Sequence, residues 1–251
     1  MRVAAIQFKA DRDHPAASQQ RLLGLCLDAA QGGAALIVCP EMALSGYLFS
    51  DPQHIRPVAE PAHGPSFEAL AALANQYGCT IVCGYPEVVE NPDSLRLYNS
   101  ARIIGPDGTL LYNYRKRLLF DADETWALPG DTDYPQLRLP WGLLTAGICM
   151  DLNDDRFTEY LVEQQCCVIA FCTNWLEEGM DLHGYWRYRL QGVRSAFIAA
   201  NTYGDETCPG QKRTRFAGQS AIFDRRGRLL AVAPREGDAV ISAEIEPSMR
   251  R

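Results

Sequence analysis

The chain has 251 residues, of which 47% are hydrophobic and 22% charged, a composition typical of an ordinary globular protein. Its net charge of −7 argues against nucleic-acid binding, which depends on basic side chains that neutralise phosphates. No stretch approaches the ~18 consecutive apolar residues that a membrane-spanning helix needs, so we expect no membrane association.

Nine cysteines raise the question of disulfides or a metal site. Their number is odd, no Cys-x-x-Cys pair is present, and Cys39, Cys83 and Cys172 lie inside apolar runs, which favours buried reduced thiols. Cys79 and Cys83 lie in one strand-like run and are interpreted as core residues, so no metal is expected. Reduced thiols and the absence of a signal-like N-terminus predict a cytoplasmic protein.

The first half of the chain predicts alternating helices and strands. A helix over 15–31 is indicated by an apolar face containing Leu22 and Cys26, with Pro15 in the first turn and Gly32-Gly33 after the last. The other predicted elements are a helix at 66–77 and strands at 2–8, 35–39, 80–85, 100–104 and 109–112, the last two joined as a hairpin.

The second half continues the pattern and ends in another hairpin. Its predicted elements are strands at 143–149, 167–172 and 197–202, helices at 155–165 and 184–195, and a hairpin of 221–223 with 229–232. Strands that alternate with helices along the chain indicate an α/β fold, and the hairpins add antiparallel strand pairs. We therefore expect two mixed β-sheets flanked by helices. No linker or low-complexity segment divides the chain, which predicts a single domain over 1–251.

Three polar residues that could do chemistry lie where a predicted strand gives way to a loop. They are Glu41, Lys116 and Cys149, and strand ends are where ligand-binding groups collect in α/β folds. Taken singly, each has a simpler interpretation: a solvated carboxylate, a solvated lysine between two arginines, and one more core thiol. Together they supply a complete mechanism for attack on a carbonyl group, which favours a hydrolase.

The nucleophile in this scheme is the thiol of Cys149. A thiol with an ordinary pKa of ~8.5 is mostly neutral at pH 7, so it needs a base or a cation nearby. Glu41 could take its proton, and Lys116 could stabilise the oxyanion that forms on attack. The backbone N–H of Met150 could be a second oxyanion donor, and Glu41 could later activate water to hydrolyse the thioester.

A series of short motifs runs along the whole chain. They are Val3-Ala4-Ala5-Ile6-Gln7-Phe8, Cys39-Pro40-Glu41 with Ser45-Gly46-Tyr47, Tyr114-Arg115-Lys116, Gly147-Ile148-Cys149-Met150-Asp151, Thr173-Asn174-Trp175, Asn201 with Gly204, and Phe216-Ala217-Gly218-Gln219-Ser220. In order and spacing they resemble the nitrilase superfamily of carbon–nitrogen hydrolases, including the intervals of 75 residues from Glu41 to Lys116 and 33 residues from Lys116 to Cys149. All the motifs in order make the resemblance specific.

The resemblance implies a four-layer α-β-β-α sandwich, no cofactor, and assembly into homodimers or larger homo-oligomers. By position it makes Glu41 the general base, Lys116 the oxyanion stabiliser and Cys149 the nucleophile. It also implies a second glutamate after the lysine, which positions substrate, and Glu124 matches that place. The residues expected to bind substrate or the oxyanion are Tyr47, Met150, Asn174 and Trp175, with core packing as an alternative role for Trp175.

The run after the cysteine departs from the Tyr-Asp-x-Arg-Phe-Pro-Glu pattern common in the family. Here Arg156-Phe157 come two residues late, and Thr158 replaces the proline. The run from Cys149 to Asn153 looks more like the branch that deamidates N-terminal asparagine or glutamine of proteins. The expected function is cleavage of the non-peptide C–N bond of an amide to a carboxylate and ammonia, in a small molecule or at a peptide N-terminus.

Other reactions on the same three residues stay open. They are N-carbamoyl cleavage, nitrile hydrolysis and protein N-terminal deamidation. An alternative of another class is a catalytically silent binding protein with this fold, against which the presence of all three residues argues. A serine hydrolase and a phosphate-binding enzyme are disfavoured because Gly-x-Ser-x-Gly and P-loop motifs are absent. Specificity is expected to depend on loops at 121–134, 174–184 and 204–217.

Overall fold

The computed structural model describes residues 1–91, 94–210 and 212–246 of the chain. Its helices are α1 (Pro15–Gln31), α2 (Pro52–Ile55), α3 (Pro65–Tyr77), α4 (Asp121–Glu124), α5 (Asp155–Gln164) and α6 (Leu182–Arg189), with 3₁₀ turns at Arg56–Val58 and Cys149–Asn153. Its strands are β1 (Arg2–Gln7), β2 (Leu36–Val38), β3 (Thr80–Asn91), β4 (Ser94–Ile104), β5 (Leu110–Arg115), β6 (Leu137–Leu139), β7 (Gly142–Ile148), β8 (Val168–Thr173), β9 (Ala196–Asn201), β10 (Tyr203–Glu206), β11 (Thr214–Ala217), β12 (Ala221–Phe223), β13 (Leu229–Val232) and β14 (Ala239–Glu244).

The strands form two six-stranded sheets and one small two-stranded sheet. The first large sheet has the order β14-β1-β2-β3-β4-β5, with β1, β2 and β3 parallel. The second has the order β13-β12-β9-β8-β7-β6, with β7, β8 and β9 parallel. Contacts of β1 with β9 and of β3 with β8 stack the parallel centres of the two sheets. Helices cover the outer faces, so the predicted four-layer α-β-β-α sandwich is confirmed.

Both faces of each central strand are buried, which explains the continuous apolar runs in the sequence. In β1, Val3 and Ala5 belong to the core between the two sheets, whereas Ala4 packs with α1 and α3, because successive side chains of a strand point to opposite faces. On the other side of the sandwich, Phe157 of α5 and Trp186 of α6 are fully buried. The apolar runs therefore fill two helix–sheet layers and one sheet–sheet layer.

The last predicted helix is shorter than the sequence suggests. A helix is expected over 184–195, but α6 ends at Arg189 and β9 begins at Ala196. Between them, Gly192 has a φ of +83°, a left-handed conformation that an α-helix cannot contain. The prediction is therefore wrong for the last part of this segment, where a turn returns the chain to the sheet.

Several strands are longer than predicted or absent from the prediction. The predicted hairpin strands pair as expected, but β3 continues beyond 80–85 to Asn91 in unbroken antiparallel register with β4. Pro86 and Glu87 interrupt the apolar pattern of β3 in the sequence. The pair β10–β11 carries polar residues at many positions, so no apolar periodicity marks it. The edge strand β14 is also absent from the prediction, although four of its six residues are apolar.

Two predictions made from the composition, on membrane-spanning helices and on the cysteines, can be compared with the structure. In the described parts of the chain, no helix is long and apolar enough to cross a membrane. The nine cysteines are free thiols and all are buried, as the sequence predicts. Cys26 on α1 and Cys39 after β2 approach each other, with their sulfurs 3.5 Å apart.

Candidate active site

The loops that follow β2, β5 and β7 bring three predicted site residues together. Nζ of Lys116 donates a hydrogen bond to Oε1 of Glu41 at 2.6 Å, and both side chains are fully buried. The thiol of Cys149 is 7% exposed and lies close enough to both charges for each to influence its pKa. Residues far apart in the sequence thus form one cluster, with the cysteine on its open side.

Glu41 lies in a tight loop that packs directly on β3. The N–H of Gly84 donates to the carbonyl of Pro40 at 3.1 Å. A Cβ atom at Gly84 would lie 2.6 Å from Cα of Glu41, so only glycine allows this approach. Two donors then hold the carboxylate: the N–H of Asn174 on Oε2 at 2.9 Å and Nδ2 of Asn99 on Oε1 at 2.7 Å.

A second buried carboxylate, Asp123, completes the cluster and is not identified by the sequence analysis. Its Oδ2 accepts a hydrogen bond from Nζ of Lys116 at 2.6 Å. Its Oδ1 accepts one from Nδ2 of Asn99 at 3.0 Å, so Asn99 bridges Asp123 and Glu41. Two carboxylates therefore share one ammonium in a fully buried setting, where removing one partner typically costs ~3–5 kcal/mol.

Glu124, which the sequence predicts as the second carboxylate of the site, is exposed. It neighbours Asp123 on α4, and successive side chains on a helix point about 100° apart, so the two cannot both face Lys116. Asp123 faces inward together with Trp126 and Ala127. Asp123, and not Glu124, is therefore the carboxylate that contacts Lys116. The sequence signal that marks Asp123 as inward-facing is this apolar pair, three and four residues after it.

Cys149 lies in a strained turn between β7 and the 3₁₀ turn that it begins. Its φ is +40°, a left-handed conformation that costs a non-glycine residue ~1–3 kcal/mol. Such strain persists only where the surrounding structure enforces it, and it is common at reactive residues. Here the turn directs the chain away from the sheet at the nucleophile candidate, so the thiol faces a cavity rather than the core.

Asp151 fixes the geometry of the turn. Its Oδ1 accepts hydrogen bonds from the N–H groups of Arg117 and Leu118, both at 3.0 Å. Its Oδ2 accepts one from the N–H of Ile148 at 2.9 Å. One buried carboxylate thus joins the backbone after the lysine to the backbone just before the cysteine, so the two functional groups keep a constant separation. Asp151 belongs to the motif around Cys149, but its sequence position alone predicts no role for it.

The charges of the cluster set its resting protonation state. Burial opposes the charge of Lys116, but the carboxylates of Asp123 and Glu41 outweigh it and hold the pKa of the lysine above its ordinary value. Burial raises the pKa of Glu41, against the attraction of the ammonium. Burial and then the charge of Glu41 raise the pKa of the Cys149 thiol. The resting cysteine is therefore neutral and lies near a carboxylate of raised proton affinity, as general-base catalysis requires.

A cavity of about 310 Å³ lies next to the thiol. The residues that line it are Cys149, the sequence-predicted Tyr47, Met150, Asn174 and Trp175, and in addition Phe120, Asn153, Leu176, Glu178, Met180 and Tyr185. Its mainly apolar walls and few polar groups are typical of a small-molecule site. Within the described residues, no group of three or more His, Cys, Asp or Glu side chains could hold a metal ion.

Tyr47 is held in the cavity wall by a carboxylate on the distant strand β10. Glu206 accepts hydrogen bonds from the N–H groups of Tyr47 at 2.9 Å and Leu48 at 3.0 Å. Arg12 forms an ion pair with the same carboxylate at 3.0 Å. The ring of Tyr47 then lies with its centroid 5.8 Å from Nζ of Lys116. The loop at 204–217, predicted to influence specificity, therefore supports the site through Glu206.

Trp175 both lines the cavity and packs against a core residue. One side of it lines the cavity, while its ring packs edge-on against Trp186 with centroids 5.9 Å apart. The backbone N–H of Trp175 donates to Oδ1 of Asn201 at 2.8 Å, and Nδ2 of Asn201 donates to the carbonyl of Gly218 at 2.7 Å. The motif residues Asn201 and Gly218 thus anchor the strand end that carries Asn174 and Trp175.

Comparison of the sequence with known proteins identifies its family. The sequence profile of the carbon–nitrogen hydrolase family matches residues 2–251. The protein called "hydrolase in pqqF 5′ region" from Pseudomonas protegens is 37% identical over 236 residues, which are 93% of this chain and 79% of that protein. A protein N-terminal amidase from Schizosaccharomyces pombe is 36% identical over 122 residues, which are 47% of this chain and 43% of the amidase. The match thus spans less than half the length of that amidase.

A comparison with solved structures supports the fold. The amidase from Nesterenkonia sp. AN1, in a structure showing the result of Michael addition of acrylamide at its active-site cysteine, superposes with a TM-score of 0.81. The two chains are 20% identical, and the superposition covers 97% of this chain and 92% of the other. Because the family profile spans almost the whole chain and the sandwich matches, the chain belongs to the carbon–nitrogen hydrolase family, within the nitrilase superfamily.

Proposed function

We propose that the protein hydrolyses a carboxamide to a carboxylate and ammonia through a thioester on Cys149. The observation that carries this proposal is the buried cluster in which one ammonium, Lys116, is shared by Glu41 and Asp123 next to a cysteine that lines a cavity. The cluster supplies a nucleophile, a base and a fixed cation, and acyl transfer at neutral pH needs all three.

The first half of the reaction forms the thioester. Glu41 accepts the proton of Cys149 as the sulfur attacks the amide carbon, and the carbonyl oxygen becomes negatively charged. The ammonium of Lys116 and the N–H of Met150 stabilise this oxyanion. Glu41 then donates the proton to the leaving nitrogen, the C–N bond breaks, and ammonia departs while the acyl group stays on sulfur.

The second half exchanges the thioester for a carboxylate. Glu41 takes a proton from a water molecule, whose oxygen attacks the thioester carbon, and the same two donors stabilise the second oxyanion. The C–S bond breaks and Glu41 returns the proton to sulfur, which restores the resting thiol. The product leaves as a carboxylic acid, which loses its remaining proton to water and becomes the carboxylate. The hydrogen bonds from Asn99 and Asn174 hold the Glu41 carboxylate in one orientation through these transfers.

The acid side of the pH–rate profile tests the role of Glu41. The purified protein is expected to release ammonia from butyramide, with kcat/KM falling as the pH drops through the pKa of Glu41, because a protonated carboxyl cannot accept the thiol proton. Burial raises that pKa above the ordinary 4.5, so activity should already be falling at pH values above 4.5. The measurement is kcat/KM for ammonia release across the range from about pH 4 to pH 9.

Circular dichroism over the same pH range is the control that the protein stays folded. A profile that stays flat below the ordinary carboxyl pKa would mean that Glu41 is not the base. Failure to release ammonia from any carboxamide at any pH would refute the proposed reaction as a whole.

Two neighbouring carboxylates provide a matched test of Asp123. Asp123→Ala is expected to lower kcat/KM by ~10²-fold or more, because one of the two groups that position Nζ of Lys116 is lost. Glu124→Ala removes the same charge at an exposed position, and its kcat/KM should stay within about twofold of wild type. Both variants are measured with butyramide and by thermal unfolding. Equal losses in the two would exclude a specific role for Asp123.

A second candidate function is deamidation of asparagine or glutamine at the amino terminus of a protein. The likeness to a protein N-terminal amidase favours it. It is also favoured by the run from Cys149 to Asn153, because Met150 and Asn153 line the cavity. Both candidates use the same three groups on a carboxamide. The two candidates differ in the part of the substrate beyond the acyl carbon. The polar groups at the outer end of the cavity would contact that part and so influence which substrate binds.

A further inference from the structure

The cavity beside Cys149 carries a negative charge toward solvent. Within the described part of the chain, Glu178 is the one charged residue among those that line it. Its side chain is exposed, and it lies on the segment between β8 and α6. Because Glu178 both lines the cavity and contacts solvent, a substrate that extends from Cys149 along this side of the cavity would meet its carboxylate.

Glu178 differs from its neighbour Glu177 in having no charged or hydrogen-bonding partner in the part of the chain that the structure describes. Glu177 is bound by Arg215 at 2.6 Å and by Arg235 at 2.7 Å. Among the described residues, no ion pair or hydrogen bond involves the side chain of Glu178. Its charge is therefore uncompensated in the free protein and available to a ligand, whereas that of Glu177 is neutralised on the surface.

A second polar group of the cavity, the side-chain oxygen of Asn174, favours a ligand that carries N–H groups. Oδ1 of Asn174 is buried and has no hydrogen-bond partner among the described residues, so it can accept a hydrogen bond from a substrate N–H. The ammonium of Lys116 is already shared by two carboxylates. A substrate carboxylate in the outer cavity would therefore meet the charge of Glu178 and no free cation, which is unfavourable.

We propose that the substrate is an amide that also carries an ammonium group, and that Glu178 binds this ammonium where the cavity opens to solvent. This inference rests on the proposed function and adds a substrate class and a specificity residue to it. The shared chemistry is a carboxamide and a cationic amine in one molecule, which a small ω-amino amide and a peptide beginning with asparagine or glutamine both supply.

Three amides of similar length separate the effect of charge from that of size. They are δ-aminovaleramide with a terminal ammonium, valeramide with a terminal methyl group, and glutaramate with a terminal carboxylate. We expect kcat/KM to fall in this order, with about a tenfold difference or more between the first and the last at low ionic strength. Equal values, or a preference for glutaramate, would overturn the inference.

Glu178→Gln assigns the preference to one side chain. We expect it to lower the ratio of kcat/KM for δ-aminovaleramide to that for glutaramate by about three- to tenfold. Glu163→Gln is the matched control, because it removes the same charge from an exposed position on α5. Its ratio should stay within about twofold of wild type, since distant exposed charges are screened. No change in the first variant, or the same change in both, would contradict the role of Glu178.

A peptide pair distinguishes the two sources of the ammonium. One peptide begins with a free asparagine, and the other is the same peptide with its N-terminus acetylated. Ammonia release from the free peptide alone would identify a peptide terminus as the substrate, whereas release from δ-aminovaleramide and from neither peptide would identify a small ω-amino amide. Faster hydrolysis of the acetylated peptide would overturn the inference.

Failure of this inference can be told apart from failure of the proposed function. If the wild type hydrolyses valeramide and Cys149→Ala does not, the reaction stands whatever the charge preference is. If the wild type hydrolyses none of the amides, the proposed function itself fails. The selectivity ratios address only Glu178.

Discussion

Alanine in place of Cys149 is expected to abolish ammonia release from carboxamides, with kcat at least ~10⁴-fold below that of the wild type. The loss should be this large because, in the proposed mechanism, the thiol forms the covalent bond to the acyl group and no other group of the cluster can replace it. The measurement is ammonia release from butyramide. Intact-mass analysis after exposure to acrylamide provides a second readout, since the variant should no longer gain a label that the wild type gains.

The variant should remain folded, which makes its inactivity interpretable. Alanine meets the same backbone strain at φ +40° as cysteine, and loss of one sulfur atom is a small packing change. Cys26→Ala is the matched control, because it removes a buried thiol on α1 and should reduce thermal stability while leaving kcat unchanged. Undiminished turnover by Cys149→Ala would remove Cys149 from the mechanism, and inactivity of both variants would point to a general loss of structure.

The positions of Glu41, Lys116 and Cys149 illustrate how much of the site the sequence contains. Each lies at or within a few residues of the end of a strand, so the sequence locates the strand end and the polar residue near it. Asp123 carries no such mark, because α4 has four residues and cannot show a helical period of 3.6. The sequence sign of which acidic residue faces inward is the apolar pair Trp126 and Ala127, and this pair lies beyond the end of the helix.

Asn99 and Glu178 show a second limit on what can be predicted from the sequence. Asn99 lies on β4, in the long hairpin that β3 and β4 form. Its role depends on the pairing register that brings it next to Glu41 and Asp123. Glu177 and Glu178 are adjacent glutamates that the sequence cannot distinguish. Two arginines that follow more than thirty residues later bind the first and leave the second free. Apolar periodicity predicts layers, but the partners of a polar side chain depend on how those layers pack.

Replacing Lys116 by alanine should damage both catalysis and stability. Because Lys116 is an oxyanion donor in the proposed mechanism, kcat for butyramide is expected to fall by ~10²–10³-fold when normalised to the folded fraction. Glu41 and Asp123 would remain buried without their shared ammonium, so the free energy of unfolding should fall by ~3–5 kcal/mol. The control is Lys212→Ala at an exposed position, which should change neither quantity.

The pH dependence of that stability loss identifies its electrostatic origin. Without the ammonium that now lowers it, the pKa of Glu41 should rise beyond the value that burial already gives it. A carboxyl whose pKa is higher in the folded than in the unfolded state contributes stability below its unfolded pKa and loses it as the pH rises through the folded pKa. Urea unfolding of Lys116→Ala should therefore show a larger deficit relative to wild type near pH 8 than near pH 5. A deficit that is equal at both pH values would mean that lost packing around the lysine stem, rather than two unpaired carboxylates, destabilises the variant.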